Sequence, residues 1–224
     1  MTAVPYGTVR VVADVPYAFA GTVLEAFASR GGPRFRLVLS GGPTARLCYE
    51  RLAEVAAAID WSVVDVLMGD ERCVPPEDPD ANQLLVRSSL LEKTGPVGSF
   101  HPMSCEDPAS YQQLLENIGA LDLVHLGMGP DGHTASLFPG SDALEAPPGT
   151  LALRSSDPDE RNPHDRMTLT LEAISRARLA VFTVSGPSKR EVFRALCTGA
   201  DLPAARVRAR EVLWLVDPAA AGHD

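Results

Sequence analysis

Short apolar runs that alternate with segments of helical spacing constrain this chain more than any other feature. TVRVVAD (8–14), RFRLVLS (34–40), WSVVDVLMGD (61–70), LDLVHLG (121–127), LAVFTVS (179–185) and EVLWLVD (211–217) read as strands. Several are apolar at nearly every position, which is the pattern of a strand covered on both faces. Between them, PYAFAGTVLEAFASR (16–30), PTARLCYERLAEVAAAI (43–59), ANQLLVRSSLLEK (81–93), PASYQQLLENIG (108–119), LEAISRA (171–177) and PSKREVFRALCTG (187–199) carry helical spacing. Gly31 and Gly32 close the first of these segments, and Pro43 stands in the first turn of the second. LALR, inside a Pro- and Gly-rich stretch at 140–165, and MTLT (167–170) add two short strands. This order predicts an α/β fold: a mostly parallel, Rossmann-like sheet covered by helices on both faces. The 224 residues suit a single domain spanning 1–224 around one core.

Charge narrows the partners. The net charge is −9, and it is uneven: residues 1–150 carry 9 basic and 19 acidic side chains, residues 151–224 carry 11 and 10. An acidic chain with no basic stripe does not suit nucleic acid or an anionic membrane, so a bound anion would be held by a few local groups. No apolar run approaches the roughly 20 residues of a membrane helix. The start, MTAVPYGTVRVVADVP, lacks the basic and long apolar segments of a secretory signal. Cys48, Cys73, Cys105 and Cys197 lie far apart with no C-x-x-C pair. The expectation is no disulfide or zinc framework and a cytoplasmic location.

Ligands of such sheets sit beyond the carboxyl ends of the strands. Four loops qualify: 40–44, 69–82, 127–140 and 185–189. In LSGGPT, Ser40, Gly41, Gly42 and Thr44 lie between a strand and a helix N-terminus, a cradle for phosphate. The third loop matches G-x-G-x-x-G through Gly127, Gly129 and Gly132. A dinucleotide fingerprint needs a long helix next, and Pro139 follows too soon for one. The glycines therefore read as letting the backbone turn sharply and approach a ligand. Asp131 and His133, two residues apart, can form a pair in which the carboxylate orients an imidazole acting as general base on water. The bland alternative is a histidine that caps a turn. Asp70, Glu71 and Arg72 form a charged triplet at a strand end, which can hold sugar hydroxyls or stabilise an oxyanion through Arg72, and Asn82 can add a hydrogen bond. Glu77, Asp78 and Asp80 read as a solvated loop tip, not a metal site. Lys189 occupies a first helical turn, where a cation is unfavourable unless an anion balances it, and Arg166 is a second clamp. His125, inside a strand, reads as a hydrogen-bonded core residue, and Cys73 has no evident base partner. No G-x-S-x-G is present, which disfavours a serine hydrolase of the usual sheet type. These readings point to a small phosphorylated metabolite and to water or proton chemistry, without choosing the reaction.

LSGGPT, GDERCVPPEDPDAN, LGMGPDGHTASLFPG, RMTLTLEAISRA and SGPSK occur in the order and spacing of the 6-phosphogluconolactonases, which the chain resembles over about residues 15–215. DGHTASLFPG is the most specific segment. The related glucosamine-6-phosphate deaminases share the fold and the DGH but continue with a segment carrying a further catalytic glutamate. Here no acid occurs before Asp142.

The resemblance implies hydrolysis of 6-phospho-D-glucono-1,5-lactone to 6-phosphogluconate in the oxidative pentose phosphate pathway, with no metal or organic cofactor. It makes His133 the general base, oriented by Asp131, and sets Arg72 and Asp70 beside the reacting ring. Ser40, Gly41, Gly42, Thr44, Asn82 and Gly129 become substrate contacts, and Arg166 and Lys189 bind the phosphate. The implied partner is a small phosphorylated sugar lactone, handled by a monomer or small homo-oligomer. Two positions depart from the pattern: Pro43 and Ala81 stand where many members have Ser. A phosphosugar deaminase or isomerase, a dinucleotide oxidoreductase and a non-catalytic phosphosugar-binding protein are the competing readings.

Overall fold

The computed structural model of the protein describes residues 6–222; residues 1–5 and 223–224, with the very start of the N-terminal segment read above, lie outside it. Ten strands are described: β1 (Thr8–Val11), β2 (Phe35–Leu39), β3 (Val64–Met68), β4 (Asp70–Arg72), β5 (Ser99–His101), β6 (Leu121–Leu126), β7 (Ala152–Ser155), β8 (Arg166–Leu169), β9 (Ala177–Val184) and β10 (Glu211–Val216). Seven form one sheet in the order β1-β10-β9-β6-β2-β3-β5. Every pairing in it is parallel. The predicted sheet is therefore present, with helices against it.

The central strands are buried because they have no polar face to expose. Phe35, Leu37, Val38 and Leu39 of β2 are fully buried, as are Leu123, Val124 and Leu126 of β6. The helix Val15–Ala28 starts where Asp14 accepts a hydrogen bond from the Tyr17 amide, and it buries Phe19, Val23 and Phe27, which share one face at i, i+4 and i+8. On β9 and β10, Phe182 and Trp214 occupy paired register positions and stack with ring centroids 3.8 Å apart. His125 is fully buried and neutral: burial takes its imidazole down to about 3. Its ring nitrogens meet the Tyr49 hydroxyl and the Thr183 hydroxyl, each at 2.9 Å, as the reading of a core histidine requires.

Strand order reverses between β6 and β2, the kind of switch point at which crevices open at the carboxyl ends of parallel strands. A second device shapes that edge. The run 61–70 is not one strand. It breaks at Gly69, whose N–H donates to Leu39 O of β2 while its carbonyl accepts from Leu169 N of β8. The chain then leaves the parallel sheet and continues as β4, part of a three-stranded antiparallel sheet ordered β4-β8-β7. LALR and MTLT supply its other two strands. The polar edge strand β5 was not legible as a strand at all.

The expectation of unpaired cysteines is overturned. Cys73 and Cys105 form a disulfide, with Cα atoms 5.4 Å apart across a separation of 32 residues. Distance along the chain misled here: β3 and β5 are parallel neighbours, so the segments that follow them, carrying Cys73 and Cys105, leave the sheet at the same end. Cys48 and Cys197 remain free. Closing a loop of this length removes freedom from the unfolded chain, so Cys73→Ser is expected to lower the unfolding free energy by about 2–4 kcal/mol. Urea unfolding without reductant checks this, and an unchanged midpoint would mean that the bond does not form in solution.

Candidate active site

The four loops selected above converge on one cleft of about 420 Å³ at the carboxyl ends of β2, β3, β6 and β9. Ser40, Gly41, Gly42, Thr44, Asp70, Arg72, Asn82, Gly129, His133, Arg166 and Lys189 all line it. Asp131 does not; it stands behind His133.

The loop after β6 is built to present that histidine. His133 Nδ1 lies 2.6 Å from Asp131 Oδ1, and the same oxygen accepts from the His133 amide at 3.1 Å. Burial alone would raise the Asp131 carboxyl, but the hydrogen bonds and charge of His133 outweigh it and bring it down to about 2. An ionised carboxylate accepts only, so Nδ1 carries the proton, and Nε2 is left without a protein partner among the described residues. The ring of Phe138 packs against the imidazole, with centroids 4.9 Å apart. Gly129 leaves room for this arrangement: a Cβ there would sit 2.2 Å from the imidazole ring. Gly132 adopts φ +84°, where a side chain would be strained and would also meet Leu202. A neutral imidazole held this way can take a proton from water in the cleft.

The loop after β2 supplies backbone amides. Gly42 caps the helix Pro43–Glu54 with φ +105° and no side-chain cap, so the first-turn N–H groups of that helix are open to an anion. Pro43 removes one of them. Ser40 contributes less through its side chain than its position suggests, because its hydroxyl donates to His125 O at 2.7 Å and is buried. Gly41 is interlocked with the next loop: a Cβ would fall 1.7 Å from Asn82 Oδ1. Asn82 is 1% exposed, donates through Nδ2 to Asp70 O at 3.0 Å, and its Oδ1 has no hydrogen-bond partner.

Across the cleft, Arg72 and Arg166 face each other in the β4–β8 register. Neither is ion-paired among the described residues. Their guanidiniums donate to loop carbonyls, Arg72 to Asp80 O and Arg166 to His164 O. Burial, then repulsion from Arg72, lowers the Arg166 pKa below its ordinary value. Lys189 ends the short turn Pro187–Lys189, its amide donates to Gly186 O at 3.1 Å, and its ammonium has no hydrogen-bond partner among the described residues. Burial lowers its pKa, against the pull of Asp131. Lys189 is thus on the imidazole side of the cleft, and Arg166 on the Arg72 side. Unpaired, partly buried cations around a cradle of backbone amides describe an anion site.

Sequence reasoning missed several lining residues. Ser136 donates to Asp70 Oδ2 at 2.8 Å and fixes that carboxylate; it lies inside the segment DGHTASLFPG, but nothing in its spacing marks it. Asn162 reaches the cleft from a stretch whose composition reads only as loop. No group of three or more His, Cys, Asp or Glu side chains able to hold a metal occurs among the described residues, and no described helix is long and apolar enough to cross a membrane.

A family model described as glucosamine-6-phosphate isomerases/6-phosphogluconolactonase matches residues 9–214. The chain belongs to this family. Among curated relatives, a 6-phosphogluconolactonase of Synechocystis is 35% identical over 215 residues, covering 87% of this chain and 86% of that protein. One of Mycobacterium tuberculosis is 36% identical over 234 residues, covering 94% and 93%. Among solved structures, the 6-phosphogluconolactonase of Leishmania guyanensis superimposes with a TM-score of 0.82 at 24% identity, covering 96% of this chain and 97% of that one, a likeness of fold. The family's description joins two activities, and both curated relatives just named are 6-phosphogluconolactonases.

Proposed function

We propose that the protein hydrolyses 6-phospho-D-glucono-1,5-lactone to 6-phospho-D-gluconate, the lactonase step of the oxidative pentose phosphate pathway. The observation that carries this reading is the Asp131–His133 pair, with Nε2 free in a cleft rimmed by Lys189, Arg72 and Arg166. The names of the curated relatives support it. In this reading Nε2 takes a proton from a water molecule as its oxygen attacks the lactone carbonyl. Asp131 holds the ring and stabilises the imidazolium that forms. Arg72 faces the oxygen on which negative charge develops, and Asp70, fixed by Ser136, holds a ring hydroxyl. The proton on His133 then passes to the ring oxygen as the C–O bond breaks, which opens the lactone and restores the base. A lactone is an activated ester, so no covalent intermediate is required. The deaminase reading lacks its glutamate: residues 134–141 contain no carboxylate. We also keep the cytoplasm as the proposed compartment, on the bacterial lactonase relatives and against the Cys73–Cys105 disulfide, which a reducing compartment would tend to open.

The reading is tested by the disappearance of freshly made lactone, corrected for spontaneous hydrolysis. No rate above background would refute it, and release of ammonia from glucosamine 6-phosphate would favour the deaminase. Phosphate recognition is expected to separate from chemistry. Lys189→Ala should raise KM for the phosphorylated lactone by roughly tenfold or more, the loss of about one charge-assisted hydrogen bond, with a much smaller change in kcat. An unchanged KM would remove Lys189 from the phosphate site.

A further inference from the structure

Glu71 sits on β4 between Asp70 and Arg72, two residues of the cleft, yet does not itself reach the cleft. It is 1% exposed. A carboxylate this deep is unfavourable unless fully hydrogen-bonded. Its partners are all backbone amides. Oε1 accepts from Arg72 N at 2.8 Å and Asn82 N at 2.6 Å, and Oε2 accepts from Gln83 N at 2.7 Å. One side chain thus joins the two ends of the loop that begins at Arg72 and ends at Asn82. The residues at those ends are the two whose side chains enter the cleft: Arg72 faces Arg166, and Asn82 locks against Gly41. Burial pushes the Glu71 carboxyl up, and the three amides pull against that rise.

We infer that Glu71 is a positioning residue: its carboxylate, by gathering the amides of Arg72, Asn82 and Gln83, sets the Arg72 guanidinium against the reacting carbonyl. The inference rests on the lactonase reading for the role of Arg72, but the geometry that carries it is independent of the substrate's identity. Acceptors on both oxygens are essential. In Glu71→Gln the side chain keeps its shape but turns one oxygen into an NH2 group, a donor facing a donor, so at least one amide loses its partner. The loop end then shifts, and misplacement of a reacting group by about 1 Å is enough to lower a rate by about 10²-fold.

The test is a double-mutant cycle on the full-length protein, with Glu71→Gln, Arg72→Met and the double variant assayed with fresh lactone. Binding of 6-phosphogluconate is followed by calorimetry, and thermal unfolding is recorded for each protein. Glu71→Gln is expected to lower kcat by roughly 10–100-fold while KM and product affinity change by less than about threefold, because Lys189 and the 40–44 cradle remain. In the Arg72→Met background the same substitution should change kcat by less than about threefold, since the group it positions is gone. A merely structural glutamate would show equal losses in both backgrounds, which would overturn the inference, as would a kcat for Glu71→Gln equal to that of the parent. If Glu71→Gln does not fold, Glu71→Asp, which keeps the charge but retracts it by one methylene, is read in the same cycle with the same two outcomes. A parent that hydrolyses no lactone would refute the lactonase reading instead. In that case the positioning role is read from hydrogen exchange of the Arg72, Asn82 and Gln83 amides, whose protection should fall in Glu71→Gln; unchanged protection would overturn it.

Discussion

Replacing His133 by alanine is expected to lower kcat by about 10²–10⁴-fold, the range that general-base assistance contributes. Binding of 6-phosphogluconate should survive, because the imidazole is not part of the amide cradle or of the cationic rim. The argument is geometric. Asp131 accepts a hydrogen bond from Nδ1–H across 2.6 Å, so Nε2 is the nitrogen with a lone pair to offer the cleft. The same geometry sets the direction of the pH dependence. The Asp131 carboxyl, brought down to about 2, stays ionised throughout the working range. A protonated Nε2 cannot accept a proton from water, so the rate is expected to fall on the acid side. Because the Asp131 carboxyl is depressed in the folded state, its contribution to stability is complete above the ordinary carboxylate range and is lost only as pH falls through about 2. Asp131→Asn should cost less than His133→Ala, since the base remains but is poorly held. Near-normal turnover in His133→Ala would remove the imidazole from the mechanism. Retained folding, checked by circular dichroism, excludes the trivial cause of a loss.

Arg72→Met is expected to lower kcat by about 10²–10³-fold, the usual loss when one donor to a developing oxyanion is removed. Stability should hold or rise. Arg72 faces Arg166 with no ion pair between them and a carboxylate, so the substitution removes a repulsion and retains the methylene stem. An enzyme that loses turnover while gaining resistance to heat shows strain kept for function. Measuring kcat and Tm on the same preparation decides it. Loss of both together would mean that Arg72 holds the loop rather than the transition state.

Much of this cleft was legible because the chemistry falls in short segments at strand ends. Asp131 and His133 are neighbours in sequence, and LSGGPT sits between an apolar run and a helical one, so local spacing was enough. What stayed hidden depends on contacts between distant segments. Cys73 pairs with a residue 32 positions away. Gly41 is required by the Asn82 side chain rather than by its own φ. Glu71 read as one of a charged triplet at the rim, but it turns inward to its own loop. Gly69 looked like the end of a strand, and instead its two backbone groups belong to two sheets. The strand β5 was missed because Ser99, Phe100 and His101 lie at the sheet edge with half-buried side chains, where apolar patterning carries no signal.

The order of the seven-stranded sheet also bears on how the chain is made. The last strand, β10, lies between β9 and the first strand, β1. During synthesis β1 leaves the ribosome first and has no partner until residues 211–216 follow. Until then the apolar β9 presents a bare edge, with Val181 and Phe182 uncovered on the side that Leu213 and Trp214 later fill. β1 therefore waits unpaired while residues 12–210 are made, the β9 edge stays open from its own emergence until β10 follows, and a truncation that removes β10 leaves a template for strand pairing between molecules.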